Sequence, residues 1–212
     1  MALKERIEPQ LHPVEIKELR PTQMTVGFRE VARKRADWRH LVTRRGSKFL
    51  GRHMLPVVSG PGGELWLIDQ HHLACALAEE GIKDVLVSII AKAEHLDRKT
   101  FLAFMDNRGW LHVYDKHGTK RSWKHLPESL HGLADDPYRS LAGDVRRNGG
   151  FAKTETPYSE FLWADYFRTK IKRGKLDRNY EGSLGRAIEF ARMHDAAYLP
   201  GWCGPANGVS AD

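Results

Sequence analysis

The densest group of side chains that could do chemistry is Asp69-Gln70-His71-His72, which follows an apolar strand pattern and precedes an apolar helix pattern. A strand-to-helix junction presents free backbone N–H groups and the positive end of a helix dipole, and both attract anions. We expect Asp69 to cap the helix and both histidines to face one ligand. Asp69, His71 and His72 also have donor atoms for a divalent metal such as Mg²⁺, although adjacent histidines are not a usual chelating pair on a helix. A capped helix with two surface histidines explains the same residues without a ligand.

Glu30 is the second candidate, because it lies in a stretch rich in lysine and arginine that would hold its carboxylate ionised. An ionised carboxylate beside a phosphate can act as a general base for an attacking hydroxyl or water. An i,i+4 ion pair with Lys34 explains Glu30 equally well.

A third group of polar side chains lies in and after the segment Asp135–Gly143. Its Asp-Pro pair predicts a turn that leaves Arg139 and Ser140 free to point at an anion, and Arg146 adds charge just downstream. We expect this segment to close over the junction at Asp69–His72 as a second wall. The structural alternative is a buried ion pair between Arg139 and a carboxylate further along the chain, either Glu160 or Asp165.

The net charge of +7 is concentrated near the N-terminus. Residues 17–52 hold eleven lysines and arginines against three acids, whereas the rest of the chain holds 23 basic and 24 acidic residues. Such a patch predicts an anionic partner, and we expect a nucleotide or a nucleic acid, with Arg33 and Lys34 among the phosphate contacts. A solvated face of a basic helix is the alternative.

Composition excludes several other classes of protein. Of the 212 residues 41% are hydrophobic and 29% charged, which is ordinary for a globular chain and excludes disordered, collagen-like and coiled-coil designs. No apolar stretch approaches the roughly 20 residues of a membrane span, and the N-terminus lacks the apolar run of a signal peptide. Two lone cysteines, Cys75 and Cys203, fit a reducing compartment, so we expect a cytoplasmic protein without membrane association.

Hydrophobic periodicity predicts an α+β chain whose strands come early and whose helices continue to the end. The first 26 residues are interpreted as a leader that ends in a turn at Pro21. The elements predicted after it are a helix over Gly27–Thr43, a hairpin of Leu55–Ser59 and Glu64–Ile68, a helix over His71–Glu80 capped by Gly81, a strand over Asp84–Ile90, and helices over Asp97–Asn107, Glu160–Lys172 and Ser183–His194.

Several of these stretches together resemble a known family. They are Pro21-Thr22-Gln23-x-Thr25-Val26-Gly27-x-x-Glu30-Val31, Leu55-Pro56-Val57-Val58 with Gly60-Pro61-Gly62-Gly63, Ile68-Asp69-x-His71-His72, Asp135-Asp136-Pro137-Tyr138-Arg139-Ser140-Leu141-Ala142-Gly143, and Glu160-Phe161-Leu162-Trp163-Ala164-Asp165. Over roughly residues 15–200 the chain is similar to the ParB-like nuclease family, within the ParB/sulfiredoxin fold superfamily. The resemblance implies that residues 1–95 form a ParB/sulfiredoxin-like α+β unit with a small mixed sheet. The residue pattern predicts a helical extension packed on it at 96–200 and a flexible tail at 201–212.

The wider superfamily includes partition proteins that bind CTP, sulfiredoxins that bind ATP, and free serine kinases. The resemblance therefore implies a nucleotide, ATP, ADP or CTP, together with a divalent metal such as Mg²⁺. The sequence keeps Asp69, His71 and His72 of the kinase pattern but has Gln70 in place of a glycine and Leu73 in place of an arginine. The second change removes a bidentate phosphate donor.

Three functions follow from these residues. The first is a nuclease-like phosphodiesterase or nucleotide hydrolase, with Glu30 as base, Asp69, His71 and His72 on metal or phosphate, and Arg139 on the developing charge. The second is a nucleotide-dependent kinase for a small hydroxyl substrate such as serine, in the same pocket. The third is a non-catalytic protein that binds nucleic acid or a nucleotide through residues 17–52. For all three we expect Glu30, Arg139 and the junction to share one pocket.

Overall fold

The structure, a computed structural model, describes residues 11–45 and 54–205, which form seven helices and seven strands in an α+β arrangement. Contacts divide the chain into two compact units. The first comprises Met1–Val26 and Val31–Ala134, and the second comprises Gly27–Glu30 and Asp135–Asp212. The division after Ala134 differs from the boundary at residue 95 expected from the sequence. The reason is that apolar side chains between residues 96 and 134, such as Phe101, Leu111 and Leu130, are buried in the first unit.

A five-stranded sheet is the centre of the first unit. Its order is β1 (Leu11–Glu15), β6 (Asp84–Lys92), β4 (Leu55–Ser59), β5 (Leu65–Leu67) and β2 (Leu19–Pro21). The pairs β1–β6 and β4–β5 are antiparallel, whereas β4–β6 and β2–β5 are parallel. The predicted hairpin is confirmed, with Val57 opposite Leu67 and a turn at Pro61–Gly63. A separate two-stranded sheet consists of β3 (Thr25–Val26) and β7 (Ala134–Asp135).

The interpretation of the first 26 residues as a leader is wrong for the described part, because β1 and β2 are the two edge strands of the sheet. Each is short and contains a proline, Pro13 in β1 and Pro21 in β2. A proline, which cannot donate a hydrogen bond to a strand ladder, is tolerated most easily at the edge of a sheet, and short strands with remote partners leave a weak signal in the sequence.

Three helices accompany this sheet: α1 (Phe28–Arg45), α2 (His71–Glu79) and α3 (Arg98–Asn107). The predicted termination of α2 at Gly81 is confirmed, since this glycine has φ +74° and donates to the Ala78 carbonyl. Helix α3 begins at the N-cap Asp97. Its Phe101, Leu102 and Met105 are buried with side chains of β4 and β5, which places this helix in the first unit.

The second unit contains four helices: α4 (Pro137–Arg147), α5 (Ser159–Lys170), α6 (Arg173–Arg178) and α7 (Tyr180–Arg192). They enclose a core around the fully buried Trp163. The turn predicted at Asp136-Pro137 is instead the start of α4. Asp136 accepts a hydrogen bond from the Tyr138 N–H, and proline at the first helical position has no N–H to leave unpaired.

The predicted flexible tail, residues 201–212, begins with packed residues. Ala152 N–H donates to the Gly201 carbonyl at 2.7 Å, and Trp202 forms a β-bridge with Phe151. Residues 206–212 lie outside the described part of the chain. Among the helices that the structure describes, none combines the length and the apolar composition needed to cross a membrane.

Candidate functional site

The topology of the sheet positions the strand-to-helix junction. Strands β2 and β5 are parallel neighbours with Pro21 opposite Leu67, so both end at the same edge of the sheet. Thr22 follows β2 there, and residues 68–70 connect β5 to α2. In open sheets, ligands bind preferentially outside the carboxyl ends of parallel strands. The junction therefore lies at the edge of the sheet where a ligand site is expected.

His71 is buried at this edge, with 4% of its surface exposed. The Thr22 N–H donates to His71 Nε2 at 3.2 Å, and the Thr22 hydroxyl donates to the Leu67 carbonyl at 2.7 Å. Because Nε2 accepts this hydrogen bond, it carries no proton and the ring is neutral. The pairing joins the end of β2 to the start of α2. It accounts for His71 without a ligand and shows why a threonine follows Pro21.

The N-cap of α2 is Gln70, not Asp69 as predicted from the sequence. Gln70 has φ 62° and ψ 27°, a left-handed conformation that costs a residue other than glycine roughly 1–2 kcal/mol. Its backbone N–H donates to Asp69 Oδ1 at 2.7 Å, and its side-chain amide donates to the Met54 carbonyl at 3.0 Å. This backbone conformation gives a physical reason for the glycine that the resemblance places here.

The arrangement of Asp69, His71 and His72 gives no support to the predicted metal site. Asp69 is exposed, His71 is buried and His72 is half-buried. Within residues 11–45 and 54–205 there is no group of three or more His, Cys, Asp or Glu side chains that could hold a metal ion. In addition, the Nε2 lone pair of His71 is directed at the Thr22 N–H. Of the two histidines, His72 is therefore the better candidate for a ligand contact.

We expect His71→Ala to lower the free energy of unfolding by about 1–3 kcal/mol, because the buried Thr22 N–H loses its acceptor. His117→Ala is the control, since that side chain is exposed and its loss changes stability by about 0.5 kcal/mol or less. Urea denaturation of both variants measures the difference. Equal stability of the two variants would contradict a structural role for His71.

Glu30 belongs to the second unit, where it forms an ion pair. Its Oε2 lies 2.6 Å from Arg147 Nη1, and the carboxylate is nearly buried. Arg147 also contacts Asp144 at 2.6 Å, and Asp144 in turn accepts a hydrogen bond from the Tyr180 hydroxyl at 2.5 Å. Burial, followed by this hydrogen bond, raises the pKa of Tyr180 above its usual value. The sequence contains no local signal for this pair, because the two residues are more than a hundred positions apart.

Ser140 is buried and caps the start of α1. The Arg29 N–H donates to Ser140 Oγ at 3.2 Å, and the Phe28 N–H donates to Asp135 Oδ1 at 2.8 Å. These bonds satisfy two of the N–H groups that a helix leaves unpaired at its first turn. The predicted phosphate contact at Ser140 remains a prediction, and its hydroxyl already has this structural role.

Arg139 is the most unusual side chain of the second unit. Only 5% of its surface is exposed, and its Nε and Nη1 have no hydrogen-bond partner. Its guanidinium lies 3.3 Å from the centre of the Phe161 ring. Burial lowers the pKa of Arg139 to about 10, so the group is still charged at neutral pH. A buried charge with unsatisfied hydrogen-bond donors is strongly unfavourable, which indicates that Nε and Nη1 meet an acceptor from outside the described residues.

The alternative of a buried ion pair between Arg139 and Glu160 or Asp165 is not seen. Four carboxylates act on the guanidinium electrostatically, yet each of them forms its ion pair with an arginine other than Arg139. The pairs are Glu160–Arg146 at 3.0 Å, Asp136–Arg168 at 2.7 Å, Asp165–Arg168 at 3.4 Å and Glu30–Arg147 at 2.6 Å. Arg146, a further candidate phosphate contact, likewise has a buried Nε without a partner.

The basic segment 17–52 is largely paired with acids where the structure describes it. Two hydrogen-bonded arginines, Arg39 and Arg35, hold the pKa of Glu80 at about 2. These contacts favour the alternative of a solvated helix face, and residues 46–52 lie outside the described part. The ion pairs are Lys17–Glu15, Arg20–Glu64, Arg29–Glu181, Arg33–Asp37, Arg35–Glu79, Arg35–Glu80 and Arg39–Glu80.

The candidate residues thus fall into both units. The first contains Arg33, Lys34 and the junction Asp69–His72, and the second contains Glu30 with three residues of α4. Those three are Arg139, Ser140 and Arg146. The single pocket expected from the sequence remains a prediction.

Comparison with known proteins adds the family. The model of the family described as "Putative ParB-like nuclease" matches residues 12–169. Protein Atu1540 from Agrobacterium tumefaciens, known from a crystal structure, is 44% identical, with a TM-score of 0.88 over 94% of this chain and 100% of that chain.

The C-terminally truncated chromosome-partitioning protein ParB from Caulobacter crescentus, crystallised with CTP-γ-S, also matches. Its sequence is 13% identical, and the TM-score is 0.29 over 88% of this chain and 94% of that chain. No curated protein matches. The extent of the family match and the likeness to Atu1540 place this chain in the ParB-like nuclease family.

Proposed function

We propose that this protein binds a phosphate-bearing ligand of the nucleotide class through Arg139 and Arg146 of α4. The observation that carries the proposal is the buried guanidinium of Arg139, with two nitrogens that lack hydrogen-bond partners. A phosphate offers several anionic acceptor oxygens and pairs with guanidinium in a two-pronged geometry. Such a ligand would supply both the missing acceptors and the missing negative charge.

The surroundings of Arg139 support an external anion. The carboxylates that act on it are held by Arg146, Arg147 and Arg168, and among the described residues nothing accepts a hydrogen bond from its Nε or Nη1. Arg146 follows Arg139 by seven residues, which brings both to one face of α4. The Phe161 ring covers the guanidinium, so a ligand reaches Arg139 by displacing that ring.

A second candidate function is hydrolysis of a phosphodiester or a nucleotide, with Glu30 as general base. The specific observation in its favour is that Glu30 is nearly buried, is paired with Arg147 and acts electrostatically on Arg139. An ionised carboxylate close to a bound phosphate has the protonation state that a base requires. Transfer of a phosphoryl group to serine and binding without turnover are the remaining alternatives. Consumption of the nucleotide only when serine is added would indicate the first, and a bound nucleotide that is never consumed would indicate the second.

Thermal unfolding in the presence of ATP, ADP or CTP, each with and without Mg²⁺, tests the proposal. We expect at least one of them to raise the melting temperature, because a ligand that binds only the folded state stabilises it. Arg139→Met should abolish this increase. The variant should be at least as stable as the parent without ligand, because it removes an unpaired buried charge and keeps an apolar side chain of similar length.

Arg108→Met is the control, because Arg108 is exposed and lies over Trp110. This variant should retain the full response to nucleotide. A response that survives in Arg139→Met, or no response of the parent to any nucleotide, would contradict the proposal. Glu30→Gln that binds normally but hydrolyses as fast as the parent would contradict only the second candidate.

A further inference from the structure

A concave surface lined mainly by lysine and arginine lies in the second unit, at the end of α5 and along α6 and α7. Its volume is about 460 Å³. No acidic side chain lines it, so its charge is of one sign. The lining residues are Lys170, Ile171, Lys172, Gly174, Lys175, Arg178 and Arg186.

Most of these cations have no acidic partner. Lys172, Lys175 and Arg178 recur every third residue and are exposed, and among the described residues no carboxylate forms an ion pair with any of them. The one acid of α6, Asp177, is bonded through both oxygens to Arg173, each at 2.8 Å. Lys170 is the exception in the lining, because it pairs with Asp195.

This surface differs from the basic segment near the N-terminus. There, Arg35 and Arg39 are hydrogen-bonded to Glu80 and to Glu79, which cancels much of the local charge. On α6 and α7, like charges instead surround a concavity, and a concave low-dielectric surface focuses the potential they produce. Because most of these charges repel one another and only Lys170 is paired with an acid among the described residues, a bound polyanion would stabilise the surface.

We propose that this surface binds the phosphate backbone of a nucleic acid. The cations are exposed and mounted on long side chains from more than one helix, which suits a row of phosphates better than a single small anion held by buried donors. The lining contains no aromatic side chain on which a base could stack. The contact is therefore expected to depend on salt and to be independent of base sequence. It is separate from the proposed nucleotide site at Arg139.

The test measures how tightly the protein binds a short fluorescein-labelled DNA duplex of mixed sequence. Fluorescence anisotropy gives the affinity at several salt concentrations. The double variant Lys175→Glu/Arg178→Glu should weaken binding at least tenfold. It should also flatten the plot of log affinity against log salt by about 2, since each lost phosphate contact removes about 0.9 from the slope. The matched control is Lys120→Glu/Lys124→Glu, at two exposed lysines of the first unit, which changes the net charge equally and should retain most of the affinity.

Three results would contradict the proposal. The parent fails to bind the duplex at all, the two double variants lose equal amounts of DNA affinity, or poly-glutamate, which carries no phosphate, binds as tightly as the duplex. Circular dichroism checks that both variants are folded, and Lys172→Gln/Lys175→Gln replaces the first variant should it unfold. Because Arg139→Met leaves this surface intact, it should bind the duplex like the parent even if the nucleotide proposal fails.

Discussion

Replacing Gly27 with alanine is expected to lower the free energy of unfolding by about 3 kcal/mol, at the upper end of the usual range for an overpacked site. A Cβ atom at Gly27 would lie 2.4 Å from Ser140 Oγ and 2.6 Å from Ser140 N, and the second of these is a backbone atom that cannot rotate away. The clash would also separate the Arg29 N–H from its acceptor on Ser140. Thermal and urea unfolding measure the loss.

Gly185→Ala is the control, because a Cβ atom at this position in α7 would meet nothing within 4 Å. Alanine in the interior of a helix is favoured over glycine by roughly 0.5–1 kcal/mol, so this variant should gain stability. A Gly27 variant as stable as the parent would show that α1 and α4 can separate at this contact without loss.

The contact at Gly27 also explains why two distant motifs occur together in the sequence. The stretch from Val26 to Glu30 contacts the stretch from Asp135 to Gly143 through helix caps and a close backbone approach, and it contacts Arg147, further along α4, through the ion pair of Glu30. From the sequence alone, the polar residues of both stretches fit either a ligand contact or an ion pair within the chain. Caps and ion pairs between segments over a hundred residues apart leave no local signal, so their structural role could not be predicted.

Elements with strong local patterns were predicted well. The hairpin of β4 and β5 has a glycine-rich turn between two apolar runs, and α2 ends at a glycine in the left-handed conformation, as expected. The edge strands β1 and β2 were missed because each is short and pairs with a strand that is remote in the sequence. Helix α4 was missed because Asp136-Pro137 fits a turn and a helix start equally well.

The net charge of the sequence indicates a charged surface only when it is counted over short segments of the chain. The excess in residues 17–52 was visible in the sequence, but the acids that pair with it, Glu64, Glu79 and Glu80, come from other elements. Conversely, the run from Arg168 to Arg178 contains six cations and one acid. It was hidden because the chain outside 17–52 is nearly neutral in sum. A net charge averaged over a long stretch therefore conceals a local surface of one sign.

The second substitution with a large expected effect on stability lies in the C-terminal segment around Gly201. Gly201→Ala is expected to lower the free energy of unfolding by about 3–4 kcal/mol, combining backbone strain with overpacking. Gly201 has φ +77°, and a Cβ atom there would lie 2.2 Å from the Ala152 carbonyl oxygen. The same segment supplies the Pro200 carbonyl that accepts from Trp163 Nε1 at 2.8 Å. Disruption therefore extends to α5, whose Phe161 covers Arg139.

Gly204→Ala separates the two causes of this loss. Gly204 has φ +79°, close to that of Gly201, yet a Cβ atom there would meet nothing within 4 Å. It should therefore show only the strain, about 1 kcal/mol. If the two variants were equally stable, the close approach to Ala152 would contribute nothing and the segment would behave as the flexible tail expected from the sequence. A larger loss at Gly201, accompanied by faster hydrogen exchange in α5, is the result expected if this segment holds the helix that covers Arg139.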